Sequence, residues 1–140
     1  MAREAVLRDT KILTSKRYTC ATATGIAKGT YLALSGDNTV SASTGDGDIF
    51  KGFAHADVNK STDTAFNTET SVTADKGGMY DLVASGSITR GSYVKTASPG
   101  NMVMQCTEAD FNLMWSKALI VGVANETATD GETINVEVFP

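Results

Sequence analysis

Residues 27–43, AKGTYLALSGDNTVSAS, and residues 89–105, TRGSYVKTASPGNMVMQ, are two versions of one pattern. Each runs through a small residue, a base, Gly, a hydroxyl residue, Tyr and an apolar residue, then a Ser/Gly-bearing turn and a second extended run. TYLAL (30–34) turns at SGDN (35–38) and returns as TVSAS (39–43); GSYVKT (91–96) turns at ASPGN (97–101) and returns as MVMQC (102–106). Short β-rich runs separated by Gly, Asn, Asp or Pro are hairpins. A chain of 140 residues that contains such a hairpin twice is committed to β structure over much of its length.

The echo continues beyond the hairpins. IFKGFAHA (49–56) is matched by LIVGVANE (119–126), each with Gly fourth and Ala sixth; KGGMYDLVAS (76–85) is matched more faintly by DGETINVEVF (130–139). This predicts a pseudo-repeat of about sixty residues, with units of about 25–85 and 86–140. Two similar β-units closing on each other form a small barrel or sandwich. The expected fold is all-β, mainly strands with one short helix: a small β-barrel or β-clip-like body, residues 25–140. Residues 1–24 are expected to be an extended N-terminal arm followed by a first strand. Gly, Ser and Thr occur 13, 11 and 19 times and Pro twice, which suits many short strands and tight turns.

One segment breaks the two-residue period. In TEADFNLMWSK (107–117), Thr107 is placed to cap a helix, with Asp110 three residues on where a capping box carries Glu or Gln. Phe111, Met114, Trp115 and Ala118 then fall on one helical face. That stripe is either a plug packed on the barrel or a partner-facing patch, since Trp and Met are enriched at interfaces.

The net charge of −4 conceals an asymmetry. Residues 1–28 hold six bases, Arg3, Arg8, Lys11, Lys16, Arg17 and Lys28, against Glu4 and Asp9, a net +4; the rest holds six bases against fourteen acids, a net −8. A basic leader on an acidic body suits a negatively charged partner, or else is a solvated terminus. An extended terminus can also add a strand to a neighbour's sheet through main-chain bonds. Nucleic acid fits poorly, because the bases are few and the acidic body would repel phosphates. No run reaches the roughly 18 apolar residues of a membrane helix, so no membrane partner is expected. The opening residues carry charges throughout and no apolar core, so no secretory signal is expected. Cys20 and Cys106, the only cysteines, then read as small buried hydrophobes, with a disulfide or a reactive thiol as the alternative.

Little here performs chemistry. His55 is the only histidine, which removes any two-His relay or His-cluster metal site, and it reads as a half-exposed strand residue. GDGD (45–48) spaces Asp46 and Asp48 as in a calcium loop but lacks the further oxygen ligands and the distal Glu, so it reads as a turn. The other acids fall on loops, with no pair in apolar surroundings to separate their pKa values. No catalytic, metal or cofactor residue is expected.

The segments YTCATATGIAKGTYLALSGDNTVSAS, FKGFAHADV and GGMYDLVASGSITRGSYVKT resemble the head decoration (capsid-stabilising, cement) proteins of tailed phages and related head-tailed viruses. The pattern is a G-I-x-K-G-T-x-L entry, then G-[IVF]-A, then G-x-x-x-G-[DS]-x-V. It is met at Gly25, Lys28, Gly29, Gly52, Ala54, Gly86 and Gly91 and covers about residues 17–125. The resemblance implies a non-enzymatic virion protein, made in the host cytoplasm, that trimerises on the outer capsid surface and cements neighbouring capsomers. It also implies an arm that reaches the major capsid protein, here carrying Arg3, Arg8, Lys11, Lys16 and Arg17. The helix at about 107–117 departs from that pattern. A virion-displayed carbohydrate- or receptor-binding β-module and a small barrel enzyme using only carboxylates are the alternatives. The first needs exposed aromatics around a groove, the second a pocket of paired, desolvated acids.

Overall fold

In chain order the strands are β1 (Val6–Leu7), β2 (Thr14–Cys20), β3 (Tyr31–Gly36), β4 (Thr39–Ala42), β5 (Phe50–Ala54), β6 (Ser71–Lys76), β7 (Gly78–Val83), β8 (Tyr93–Ala97), β9 (Met102–Gln105), β10 (Ile120–Ala124) and β11 (Thr133–Val138), with helix α1 (Glu108–Leu113) between β9 and β10. The computed structural model describes residues 4–7, 14–21, 25–58, 70–113 and 119–140. The protein is mainly β, as the hairpins require.

Two strand systems repeat one plan. The first is a closed barrel in the order β2-β4-β3-β5-β6. The second is a sheet in the order β1-β7-β11-β10-β8-β9. An isolated parallel bridge between Ala84 and Val103 brings its last strand back beside β7. In the barrel, Cys20 of β2 pairs in parallel with Val40 of β4 at the matching place. Thus β7, β9, β8, β10 and β11 correspond in order to β2, β4, β3, β5 and β6.

The backbone bonds correspond as well. Ile26 and Val58 exchange N–H···O bonds of 3.0 and 2.8 Å, and Ile88 and Ala128 do the same at 2.9 and 2.8 Å. The Gly29 N–H donates to Ala54 O and the Gly91 N–H to Ala124 O, each at 2.8 Å. Both hairpin turns end in an asparagine with positive φ, 48° at Asn38 and 55° at Asn101, a conformation that Asn tolerates better than most residues. The Ser98–Pro99 peptide in the second turn is cis.

The matched strands put the passage from one sheet to the next between β6 and β7. The strand that closes the first barrel is β6, the counterpart of β11, and β7 opens the second unit as β2 opens the first. The chain passes between units at Gly77, whose φ of 85° turns it from one sheet into the other.

Gly52 and Gly122 occupy equivalent positions beside a bulge, on β5 and β10. A Cβ on Gly122 would lie 2.0 Å from Glu137 O, and one on Gly52 would lie 2.7 Å from Asp75 O. The neighbouring strand crosses so closely that no side chain fits. That is the physical content of the Gly-x-Ala echo.

Two cores result. Tyr18, Leu32, Val40, Ala54, Val72 and Ala74 fill the first barrel together with Cys20, Ile26 and Val58. The second core holds Leu82, Val94, Val103, Ile134 and Val136, and it also takes in Tyr31, Phe50 and Phe53 from the outer wall of the first barrel. These rings meet edge to face at 5.0–6.4 Å between centroids. The two units are thereby joined by aromatic packing.

Candidate functional site

Of the expected arm residues, Arg3, Arg8 and Lys11 lie outside the described residues, as do Met114 and Trp115 of the expected helical face. Val6 and Leu7 do not project from the body: they pair antiparallel with Asp81 and Tyr80 of β7. The Ala5 N–H donates to Gly29 O at 2.8 Å, and Ala5 packs on the second core. Lys16 and Arg17 are exposed on β2, as parts of the barrel wall. Arg17 donates from Nε and one terminal nitrogen to Ser71 Oγ at 3.0 and 2.7 Å, and Lys16 Nζ stands 5.1 Å from the Tyr18 ring centroid.

Lys16 has neighbours that sequence reasoning missed. Strand alternation puts Lys16 on the same side as Tyr18 and Cys20, and Lys76 on the same side as Val72 and Ala74, beyond the last filled layer of the first barrel. Lys51 is the bulged residue of β5 and lies close enough to Lys76 to act on it electrostatically. Burial first, and the Lys51 charge second, hold the Lys76 ammonium below its ordinary pKa. Three lysines therefore ring one mouth of the first barrel. Their counterparts in the second unit, by strand register, are Tyr80, Val121 and Val138, all buried. Those three share a core with Tyr31, Phe50 and Phe53, so the second mouth is capped by the first barrel's wall.

The wall of the second unit that corresponds to this capping wall is open. Tyr93, the counterpart of Tyr31, is 40% exposed where Tyr31 is fully buried. Tyr93, Val123 and Glu137 are direct cross-strand partners and form one row on that wall. The Phe111 and Phe139 rings meet Tyr93 edge to face at 5.7 and 6.0 Å, and both are exposed. Of the expected helical face, Phe111 thus joins a surface aromatic cluster. The residue that α1 buries is Asp110.

Asp110 Oδ2 accepts from the Thr107 N–H at 2.6 Å and from Thr107 Oγ1 at 2.9 Å, the reach-back of a capping box. Its Oδ1 accepts from Lys95 Nζ at 2.8 Å, both side chains being nearly buried. Burial alone would raise the Asp110 carboxyl; the hydrogen bonds from Lys95 and Thr107 outweigh it and hold it below the usual range. The neighbouring Cys106 thiol is pushed up to about 11, mainly by burial and then by the Asp110 charge, against a lowering by Lys95. At neutral pH it is a protonated, unreactive thiol.

A second acid departs from the expectation that acids sit on loops. Asp75 is buried on β6 and accepts from Ser15 Oγ at 2.6 Å, with His55 Nδ1 2.6 Å from its other oxygen. His55 has a side chain 56% exposed, so it screens the carboxylate from solvent. In GDGD, Asp48 accepts from Ser43 Oγ and the Gly45 N–H, and Asp46 accepts from the Ser98 N–H at 2.6 Å. These oxygens fasten a turn of the first unit to the second hairpin, as do the Gly47 and Asp48 N–H bonds to Thr96. Each buried acid holds two elements together.

No protein-family model matches the chain, and no curated protein matches it. A solved structure does: the N-terminal base of the head fiber protein gp8.5 of bacteriophage phi29, at a TM-score of 0.53 and 18% identity, over 90% of this chain and 93% of that one. The likeness is one of fold.

Proposed function

We propose that this protein is a non-enzymatic structural component of a phage-type virion. In this reading it binds the outer surface of the icosahedral head as a homotrimer and stabilises it by cementing neighbouring capsomers, with the major capsid protein as partner. The observation that carries the reading is the fold shared over nine-tenths of the chain with a phage head fiber base. The decoration-protein motif around Gly25, Gly29, Gly52, Gly86 and Gly91 supports it independently.

Cementing requires buried area, defined shape and many copies, and no reactive group. Association costs on the order of 4–15 kcal/mol, so a 14.7 kDa subunit gains by trimerising and engaging several capsid sites at once. The basic residues Arg3, Arg8, Lys11, Lys16 and Arg17 are assigned to the capsid side in this reading. Because β1 and β2 belong to the body, the test is charge reversal and not truncation. The protein is sized by light scattering and then sedimented with expanded capsids. A trimer that co-sediments, and that loses binding but not its trimeric mass as Arg8→Glu/Lys11→Glu/Arg17→Glu, supports the reading. Wild-type protein that stays in the supernatant overturns it.

A further inference from the structure

We propose that a second copy of this chain covers the open Tyr93 wall, by seating it on the lysine-ringed mouth of the first barrel. This rests on the reading of the chain as a homo-oligomer and names the surfaces that such an oligomer would use.

The molecule already contains the contact once. The Tyr31/Phe50/Phe53 wall of the first unit caps the mouth of the second, which is lined by Tyr80, Val121 and Val138. Repeating the same operation takes the corresponding wall of the second unit, Tyr93, Ile120 and Val123, onto the mouth of a first unit. Within one chain no first unit remains to receive it. The wall accordingly stays open among the described residues, with Tyr93, Phe111 and Phe139 exposed.

Charge supports the match. The row on the open wall runs Tyr93, Val123, Glu137, and Glu137 is exposed. The mouth of the first barrel carries Lys16, Lys51 and Lys76, and Lys76 Nζ already lies 5.7 Å from the Phe50 ring centroid. Lysine against an aromatic wall with one acid is attractive through cation–π and ionic terms. Phe111 and Phe139 meet Tyr93 edge to face, so among the described residues the three rings do not form one flat face. The wall and the mouth are different surfaces, so the contact is head-to-tail. Such contacts close into rings when the rotation permits.

The experiment uses two full-length variants, Tyr93→Arg, altered only on the wall, and Lys16→Glu/Lys51→Glu, altered only at the mouth. Phe139→Arg is a second wall variant. Wild-type-like urea midpoints show that each is folded, and light scattering gives the mass. The expected result is that each variant alone is monomeric at a concentration where the wild type is oligomeric. An equimolar mixture associates, because each supplies the surface that the other lacks. A folded variant that keeps the wild-type mass, or a mixture that stays monomeric, overturns the proposal, as does a wall that binds saccharide while the wild type remains a monomer. Wild-type protein that is monomeric alone yet sediments with capsids overturns this contact and leaves the capsid reading standing. An oligomer that behaves as expected here but ignores capsids does the reverse.

Discussion

The Phe53 ring of the first barrel lies 4.6 Å from the Tyr80 ring of the second, centroid to centroid, with the planes tilted by 40°. Phe53 stands on the outside of its own barrel, and Tyr80 at the mouth of the next. This contact is part of the aromatic packing that, with the hydrogen bonds of the GDGD turn to the second hairpin, joins the two β-units.

Phe53→Ala should cost about 3–5 kcal/mol, the range for emptying a buried aromatic site. Urea unfolding followed by tyrosine and tryptophan fluorescence measures it. If the contact joins the units, the variant unfolds in two separated steps where the wild type unfolds in one.

Tyr80 sets an alkaline limit. Burial first, and the Asp75 charge second, push its phenol up to about 12. A group whose pKa is raised on folding contributes stability that is complete below its unfolded pKa, near 10, and is lost as pH rises towards 12. Urea midpoints of the wild type should fall between pH 9.5 and 11.5. The Tyr80 hydroxyl is buried without a hydrogen-bond partner among the described residues. Tyr80→Phe should therefore fold at neutral pH at least as stably as the wild type and show a flatter alkaline slope.

The Lys95–Asp110 pair sets an acid limit. Removing one partner of a buried ion pair costs about 3–5 kcal/mol, because the other charge stays buried alone. Lys95→Met should lower the urea midpoint accordingly, and Lys95→Met/Asp110→Leu should recover most of the loss. The Asp110 carboxyl is held below its ordinary pKa, so its contribution is present above about pH 4 and is lost as pH falls further. The double variant should lack that acid-side slope.

Two glycine substitutions separate crowding from backbone strain. At Gly122 an added Cβ would overlap Glu137 O, whereas at Gly91 it would meet nothing within 4 Å, although φ there is +87°. Gly91→Ala should cost about 1–2 kcal/mol for the left-handed conformation. Gly122→Ala should cost more than about 3 kcal/mol or prevent folding, because β10 and β11 must separate. Thermal melts of the two proteins decide this directly.

Much of the fold was legible because its signals are local. The turn at SGDN, the turn at ASPGN and the cap at Thr107 act over three or four residues, and each is found at its expected place. The pairing of Gly52 with Gly122 was legible for a related reason: a close strand crossing excludes every side chain. What could not be read was contact between distant segments. His55–Asp75 and Lys95–Asp110 join residues that carry no marker in a linear chain, apart from the capping position of Asp110.

By itself the sequence determined that the chain forms β-hairpins, that it does so twice on one plan, and that a short capped helix interrupts the second copy. Tertiary structure alone decided which copy is covered. Alternation along a strand specifies which residues share a side, and Tyr31 and Tyr93 are equivalent in that respect. Whether a side is buried depends on what packs against it: barrel two lies against Tyr31, whereas Tyr93 stays 40% exposed beside Val123, Phe111 and Phe139. For the same reason Lys16, Lys51 and Lys76, separated by up to sixty residues, become one charged mouth only when the first barrel closes.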